Sequence, residues 1–127
     1  MGEGLEKRAD NFADEVKAVT VGDGVERLEH NSLAYTPNLT TVYLPKSIRY
    51  LGKNTFSRND LFGNDKKTLT IEFNGTRAQW KVLISNSDSS WDGGLVKGSK
   101  VICSDGYFEM TRAAGLLNKS SWKEVAT

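Results

Sequence analysis

VYLPKSIRYLGKNTF, residues 42–56, has the same order of apolar positions as VTVGDGVERLEHNSL, residues 19–33. The shared pattern is V-x-V-x-x-x-V-x-x-L-x-x-N-x-Φ, where Φ is a large apolar residue and Leu or Ile replaces some valines. Val19 and Val42 lie 23 residues apart, and so do Asn31 and Asn54. Five apolar coincidences and one asparagine at a single offset indicate a repeated structural unit.

Each unit combines a strand with a turn and a return path. The V-x-V period of two places both side chains on one face of a short strand. The turn residues 22–24 and 45–47 then end the strand. Val25, Leu28 and Leu33 predict a loosely helical or irregular return path that keeps pointing inward. One unit buries its apolar side only when a neighbour stacks on it.

Two later segments continue the strand pattern at longer spacing. Ile71 and Phe73 follow Val42 and Leu44 at an offset of 29, and Val101 follows Ile71 at an offset of 30. The residues that lengthen the offset from 23 to 29 fall in the polar stretch 57–67. This stretch is predicted to form an enlarged loop. The sequence therefore predicts four short parallel strands near 19–21, 42–44, 71–73 and 100–103.

These repeats resemble the BspA-type leucine-rich repeat, whose units read roughly V-x-I-P-x-S-V-x-x-I-G-x-x-A-F-x-x-C-x-x-L. The resemblance covers residues 16–106, but Thr36 stands where a Cys is common and GDG replaces the first P-x-S turn. It implies an α/β fold, a short leucine-rich repeat solenoid with parallel β-strands, an N-terminal capping helix and a C-terminal extension. The family's closing unit is matched by IEFNGTRAQW (71–80), SSWDGG (89–94) and VICSDG (101–106).

The chain of 127 residues is divided into three parts within one domain of ordinary size. Residues 1–17 are predicted to form an N-terminal helical cap or an arm, and residues 18–106 the repeat domain. Residues 107–127 form a C-terminal extension that either folds back as a cap or orders on a neighbouring subunit. Tyr107, Phe108 and Met110 would extend the last strand into a hairpin.

Composition excludes several classes of function. Seventeen basic and sixteen acidic side chains give a net charge of +1, which argues against a nucleic-acid binder. A single cysteine excludes an intrachain disulfide. No apolar run approaches the roughly 20 residues that a membrane span needs, so we expect no membrane insertion. The polar first residues carry no apolar h-region, so no signal peptide is expected.

No catalytic constellation is recognised, and we predict a protein that is not an enzyme and has no cofactor or metal site. His30 is the only histidine and has no second ligand in a zinc-like spacing. Cys103 occupies an inward strand position, which suits a small buried hydrophobe. GDGVER (22–27), GGLVKGSK (93–100) and NSDSSWD (86–92) begin like a dinucleotide, a phosphate and a calcium loop, but each lacks a required residue.

The outward strand positions supply candidate partner-binding residues. They form two predicted columns, one with Ala18, Thr41, Thr70 and Lys100 and one with Thr20, Tyr43, Glu72 and Ile102. Tyrosine is enriched in interface cores, although solitary exposed apolar residues are also common. Leu61 and Phe62 of the enlarged loop either pack into the stack or are offered to a partner; packing is favoured, because Phe62 aligns with Leu39 at the offset of 23. The predicted partner-binding set is Thr20, Tyr43, Tyr50, Glu72, Ile102, Leu116, Leu117 and Trp122.

The functional expectation is a non-enzymatic module for protein interaction or structure. The resemblance implies protein binding or adhesion. A short chain without a predicted signal suits a small virion component, such as a phage capsid, tail or baseplate accessory protein, with other virion subunits or itself as partners. The alternative is a free-standing leucine-rich repeat binding, adhesion or inhibitor protein in the cytoplasm.

Overall fold

The computed structural model describes residues 16–33, 36, 38–57, 68–115 and 117–127. Within these ranges the chain forms mainly short strands, together with one helix of nine residues. The elements in chain order are β1 (Ala18–Thr20), β2 (Arg27–Leu28), β3 (Thr41–Leu44), β4 (Tyr50–Leu51), β5 (Thr70–Phe73), α1 (Arg77–Ser85), β6 (Lys100–Cys103), β7 (Gly106–Arg112) and β8 (Ser121–Ala126).

A six-stranded sheet in the order β1-β3-β5-β6-β7-β8 is the main element of the fold. Its first four strands are parallel, with Val19 beside Val42, Ile71 beside Val42, and Val101 beside Ile71. The four predicted parallel strands and their register are therefore confirmed. Register is strongly specified here because a slip of one residue would turn every buried valine and isoleucine outward.

The two 23-residue units also contact each other along their return paths. β2 and β4 form a separate two-stranded parallel sheet that sets Leu28 beside Leu51. Gly52 N donates to Leu28 O at 2.7 Å. Asn31 and Asn54 both adopt a left-handed backbone, with φ of 57° and 54°. Asparagine tolerates this conformation better than most residues, which explains why the pattern has it at both positions.

The core lies between the inner face of the large sheet, helix α1 and the segment 86–99. Thr76 caps α1 by accepting from Gln79 N, and the Gln79 side chain accepts from Thr76 N, a complete capping box. The helix follows the NGT turn directly and buries Trp80 and Leu83. The fully buried apolar residues from the strands and loops are Leu39, Val42, Leu51, Phe56, Leu69, Ile71, Val101 and Met110.

The predicted fold class, a short leucine-rich repeat solenoid with a capping helix, is wrong. The parallel series stops at β6, because the chain turns back at 104–105: β7 pairs antiparallel with β6, and β8 pairs antiparallel with β7. The third return path also differs from the first two. The first contains β2 and the second β4, whereas helix α1 follows β5. The result is a mixed sheet with one short internal helix in the described part of the chain.

Several other expectations concern single segments of the chain. Residues 1–15 of the predicted N-terminal helix, and Leu61 and Phe62, lie outside the described residues. Val25 was expected to point inward but is 37% exposed beside the first turn. The hairpin predicted from Tyr107 onwards is confirmed, and the extension continues into β8 on the same sheet.

Candidate functional site

The outer face of the six-stranded sheet carries a continuous row of side chains, which we call the open face. Each residue of the row is the direct cross-strand neighbour of the next. Tyr43 is 42% exposed and Ile102 is 38% exposed, and no segment that the structure describes covers them. The open face consists of Thr20, Tyr43, Glu72, Ile102, Tyr107 and Val125.

Charged residues lie beside this row on the neighbouring positions of the sheet. Lys100 Nζ is 3.7 Å from Glu109 Oε1 and 5.4 Å from the ring centroid of Tyr107. Glu109 in turn is the cross-strand neighbour of Lys123. Such exposed pairs add little stability. Their effect is to place charges of both signs along one side of the open face.

The structure brings four of the predicted partner-binding residues together and separates the others. Thr20, Tyr43, Glu72 and Ile102 all belong to the open face. Tyr50 does not, because it lies in β4 with its ring 4.1 Å below the Arg27 guanidinium carbon.

The predicted residues of the C-terminal extension are also dispersed. Leu116 lies outside the described residues. Leu117 is 95% exposed in the loop between β7 and β8. Trp122 is the cross-strand neighbour of the fully buried Met110, on the inner face of the sheet. Tyr107 and Val125 were not predicted, although strand alternation after a hairpin at 104–105 would have placed Tyr107 beside Ile102.

A second candidate site, the tryptophan cleft, lies at the inner side of the β7–β8 end of the sheet. It has a volume of about 570 Å³, within the range of roughly 300–1,000 Å³ that is usual for ligand pockets. Helix α1, the loop 89–92 and the segments 114–115 and 118–122 form its walls. The residues that define it are Trp80, Lys81, Ile84, Ser85, Ser89, Ser90, Trp91, Asp92, Phe108, Ala114, Gly115, Asn118, Lys119, Ser120 and Trp122.

Indole rings form the base of the tryptophan cleft. Trp91 and Trp122 are stacked, with centroids 5.7 Å apart and planes at 19°. Trp80 meets Trp91 edge to face at 5.5 Å, and Phe56 packs edge to face on the same ring. These offset and perpendicular arrangements are the ones that aromatic quadrupoles favour. Trp80 and Trp91 are buried, whereas Trp122 is half-buried at the cleft.

A buried carboxylate orients the half-buried indole. Asp92 is 3% exposed, and its Oδ2 accepts from Trp122 Nε1 at 2.9 Å and from Ser120 Oγ. Hydrogen bonds to an ionised acceptor are stronger than neutral ones. Asp92 thereby ties the loop after α1 to the β7–β8 hairpin and restricts the Trp122 ring to one orientation.

Helix α1 is joined to the hairpin by a cluster of ion pairs next to the cleft. Glu124 lies 2.6 Å from Lys81 Nζ and 2.8 Å from Arg77 Nη1. The hydrogen bond from Lys81 is the main reason that the pKa of Glu124 is lowered. Arg77 N donates to Asp105 Oδ1 at 2.8 Å, and this bond lowers the pKa of Asp105. The cluster orients β8 against α1, and the positive charge of Lys81 is balanced by Glu124.

Neither reactive side chain singled out in the sequence belongs to a catalytic arrangement. Cys103 is 8% exposed, and burial raises its pKa to about 11, with the nearby Asp105 charge adding to the effect. A thiol of such a pKa is a poor nucleophile at neutral pH. His30 is exposed and lies 2.9 Å from the Asn31 amide nitrogen. The described residues contain no group of three or more His, Cys, Asp or Glu suited to a metal ion.

Comparison of the chain with protein families, curated proteins and solved structures gives no match. The resemblance to the BspA-type repeat therefore stays a prediction from the residues. None of the helices in the described ranges has the length and apolar character needed to cross a membrane.

Proposed function

We propose that this protein is a binding module without chemistry of its own, and that its open face contacts a protein partner. The observation that carries this proposal is the single row from Thr20 to Val125, one residue from each strand of the sheet. Hydrogen bonding between strands holds the backbone of these six residues in fixed relative positions. Little conformational entropy is then lost when a partner covers them.

The composition of the row supports a protein partner. Tyr43 and Tyr107 present amphipathic rings, and Ile102 beside Tyr107 is an exposed aliphatic residue. Protein interfaces combine such an aromatic and aliphatic centre with a polar rim. Lys100 and Glu109 provide a rim of both signs, which favours a partner surface of mixed charge over a polyanion. The partner is another subunit of an assembly, and a second copy of this chain is one such subunit.

Site-specific crosslinking tests the proposal in native material. A photoreactive benzoylphenylalanine replaces Tyr43 in one variant and Tyr107 in another. The matched control carries it at Val82, which is 61% exposed on α1 and far from the row. We expect the same crosslinked protein from both tyrosine positions and none from Val82. The additional substitution Ile102→Asp should reduce the yield at least fivefold.

Two results would contradict the use of the open face. One is equal crosslinking from Val82 and Tyr43, since that indicates collisions without a preferred surface. The other is a yield that Ile102→Asp leaves unchanged. Sedimentation of the purified wild type and Ile102→Asp then tests for self-association. If the partner is a second copy of this chain, the wild type should have a larger mass in solution than the variant.

The place of this module in a virion remains a prediction from the sequence. Its test is the same crosslinking performed on purified particles of the source. A virion component should co-purify with particles and crosslink from Tyr43 to a particle subunit. A free-standing binding protein, the alternative, should stay in the soluble fraction and crosslink to a partner there.

A further inference from the structure

We propose that the tryptophan cleft binds a neutral oligosaccharide, a function separate from the open face on the other side of the sheet. The cleft combines an aromatic platform with hydroxyl and amide groups and has almost no net charge. Sugars have the matching chemistry, because the C–H face of a pyranose ring is apolar and its edge carries hydroxyl groups. The proposal does not depend on the open face binding a protein.

The platform is the ring of Trp122. Trp91 stacks on one face of this ring, with centroids 5.7 Å apart and planes at 19°. The half-buried ring lines the cleft, so a ligand there meets the part of the ring that Trp91 leaves uncovered. The indole N–H is already bonded to Asp92 at 2.9 Å. A ligand that competes for that donor gains nothing. A ligand that stacks on the uncovered part of the Trp122 ring meets a ring already held in position. Such preorganisation lowers the entropic cost of binding.

The polar groups around the platform are neutral. Asn118 offers an amide and is exposed at the rim, and Ser85 and Ser89 offer hydroxyl groups on the opposite wall. An amide donates and accepts at once, and so does a hydroxyl. This suits hydroxyl groups of a ligand, which also do both. Ser85 Oγ already donates to Val82 O at 2.6 Å and keeps its lone pairs for a ligand hydroxyl. A purely apolar ligand would use none of these polar groups.

Charge on the cleft argues against an ionic ligand. Lys81 is paired with Glu124 at 2.6 Å. The remaining cation, Lys119, is exposed at the rim, and the remaining anion, Asp92, is buried with its donors in place. An anionic ligand would therefore find one free ammonium group near a buried carboxylate. A cationic ligand would find Asp92 already engaged, so the balance favours a neutral ligand.

Tryptophan fluorescence provides a direct assay, because the chain has three tryptophans and all of them line this cleft. The probes are four neutral tetrasaccharides: cellotetraose, maltotetraose, mannotetraose and N-acetylchitotetraose. We expect a saturable change with at least one of them, with Kd below about 1 mM. The comparison ligands are a heparin tetrasaccharide, a chitosan tetramer and the apolar dye ANS.

Two variants locate the binding. Ala114→Phe places a ring in the cleft from an exposed position and should abolish the fluorescence change. Its matched control is Ala78→Phe, also exposed, which lies with Val82 at a different depression of the surface and should bind like wild type. Asn118→Ala should weaken binding at least fivefold. Far-ultraviolet circular dichroism establishes that each variant is folded.

Several results would overturn the proposal. Saturation by none of the four neutral sugars would do so, and so would binding that Ala114→Phe leaves intact. Tighter binding of the heparin or chitosan fragment would assign the cleft to a charged ligand. Saturation by ANS alone would assign it to an apolar ligand, such as a side chain of another protein.

Discussion

Replacement of Gly106 by alanine should destabilise the protein severely, because β8 approaches this first residue of β7 too closely for a side chain. Its backbone has φ of +152°, and an added Cβ would lie 2.1 Å from Val125 O and 2.7 Å from Arg77 Cδ. The first neighbour is backbone of β8 and cannot rotate away. The second belongs to the ion-pair cluster that joins α1 to the hairpin.

The size of the effect follows from these distances. A carbon next to a carbonyl oxygen normally lies at roughly 3.3 Å, so β8 must move away from Gly106 by about 1.2 Å. Hydrogen bonds at this end of the β7–β8 ladder, each worth about 0.5–1.5 kcal/mol, would be lost. Residual backbone strain adds about 1–3 kcal/mol. We expect a total loss of about 3 kcal/mol in the free energy of unfolding.

Urea unfolding followed by tryptophan fluorescence measures this loss. With an m-value of roughly 2 kcal/mol per molar, a loss of about 3 kcal/mol lowers the midpoint by about 1.5 M. The control is Gly115→Ala, because a Cβ at Gly115 meets nothing within 4 Å. That variant should stay within about 0.5 kcal/mol of wild type. A Gly106→Ala midpoint equal to that of Gly115→Ala would refute the close approach of β8.

Three further predictions concern other parts of the fold. Gly52→Ala should cost about 2–4 kcal/mol in urea unfolding, because its Cβ would lie 2.6 Å from the backbone nitrogen of His30; an unchanged midpoint would contradict the β2–β4 packing. Cys103, with a pKa raised to about 11 by burial, should react with a bulky disulfide reagent at pH 8 only after unfolding; rapid reaction of the native thiol would contradict its place in the core. The lowered pKa of Glu124 stabilises the fold above the unfolded carboxyl pKa of about 4.3 and loses this effect as the pH falls through the folded pKa. The midpoint of wild type should therefore exceed that of Glu124→Gln at pH 7, and the two should converge near pH 3; a difference that persists at pH 3 would show that the carboxylate–Lys81 pair is not its source.

The sequence was a good guide to the strands whose side chains alternate between core and solvent. Val42 and Ile71 have no exposed surface, so a shifted register would expose both. Periodicity therefore predicted four strands, their parallel order and the residues Tyr43 and Ile102 on the outer face. The helix after β5 was predictable for a local reason, since Thr76 and Gln79 form a capping box.

The fold class was wrong because it followed the family resemblance, which ends at residue 106, and gave the hairpin predicted from Tyr107 no weight. The turn at 104–105 reverses the chain, whereas a solenoid would have continued with a further parallel strand. The approach of Val125 O to Gly106 joins residues 19 positions apart that share no pattern. The tryptophan cleft was missed for a similar reason: Trp80, Trp91 and Trp122 come from a helix, a loop and a strand, and Asp92 reads as an ordinary loop aspartate.

The reversal at 104–105 is also what builds both candidate sites. Strand alternation sends Tyr107 and Val125 to the outer face, where they extend the row that begins at Thr20. The same alternation sends Trp122 to the inner face, where it stacks on Trp91. A fifth parallel strand in place of β7 would have needed a long crossover connection. The antiparallel strands β7 and β8 instead extend both faces of the sheet within the last 22 residues. The same reversal therefore widens the proposed protein-binding surface and forms the tryptophan cleft on the opposite face.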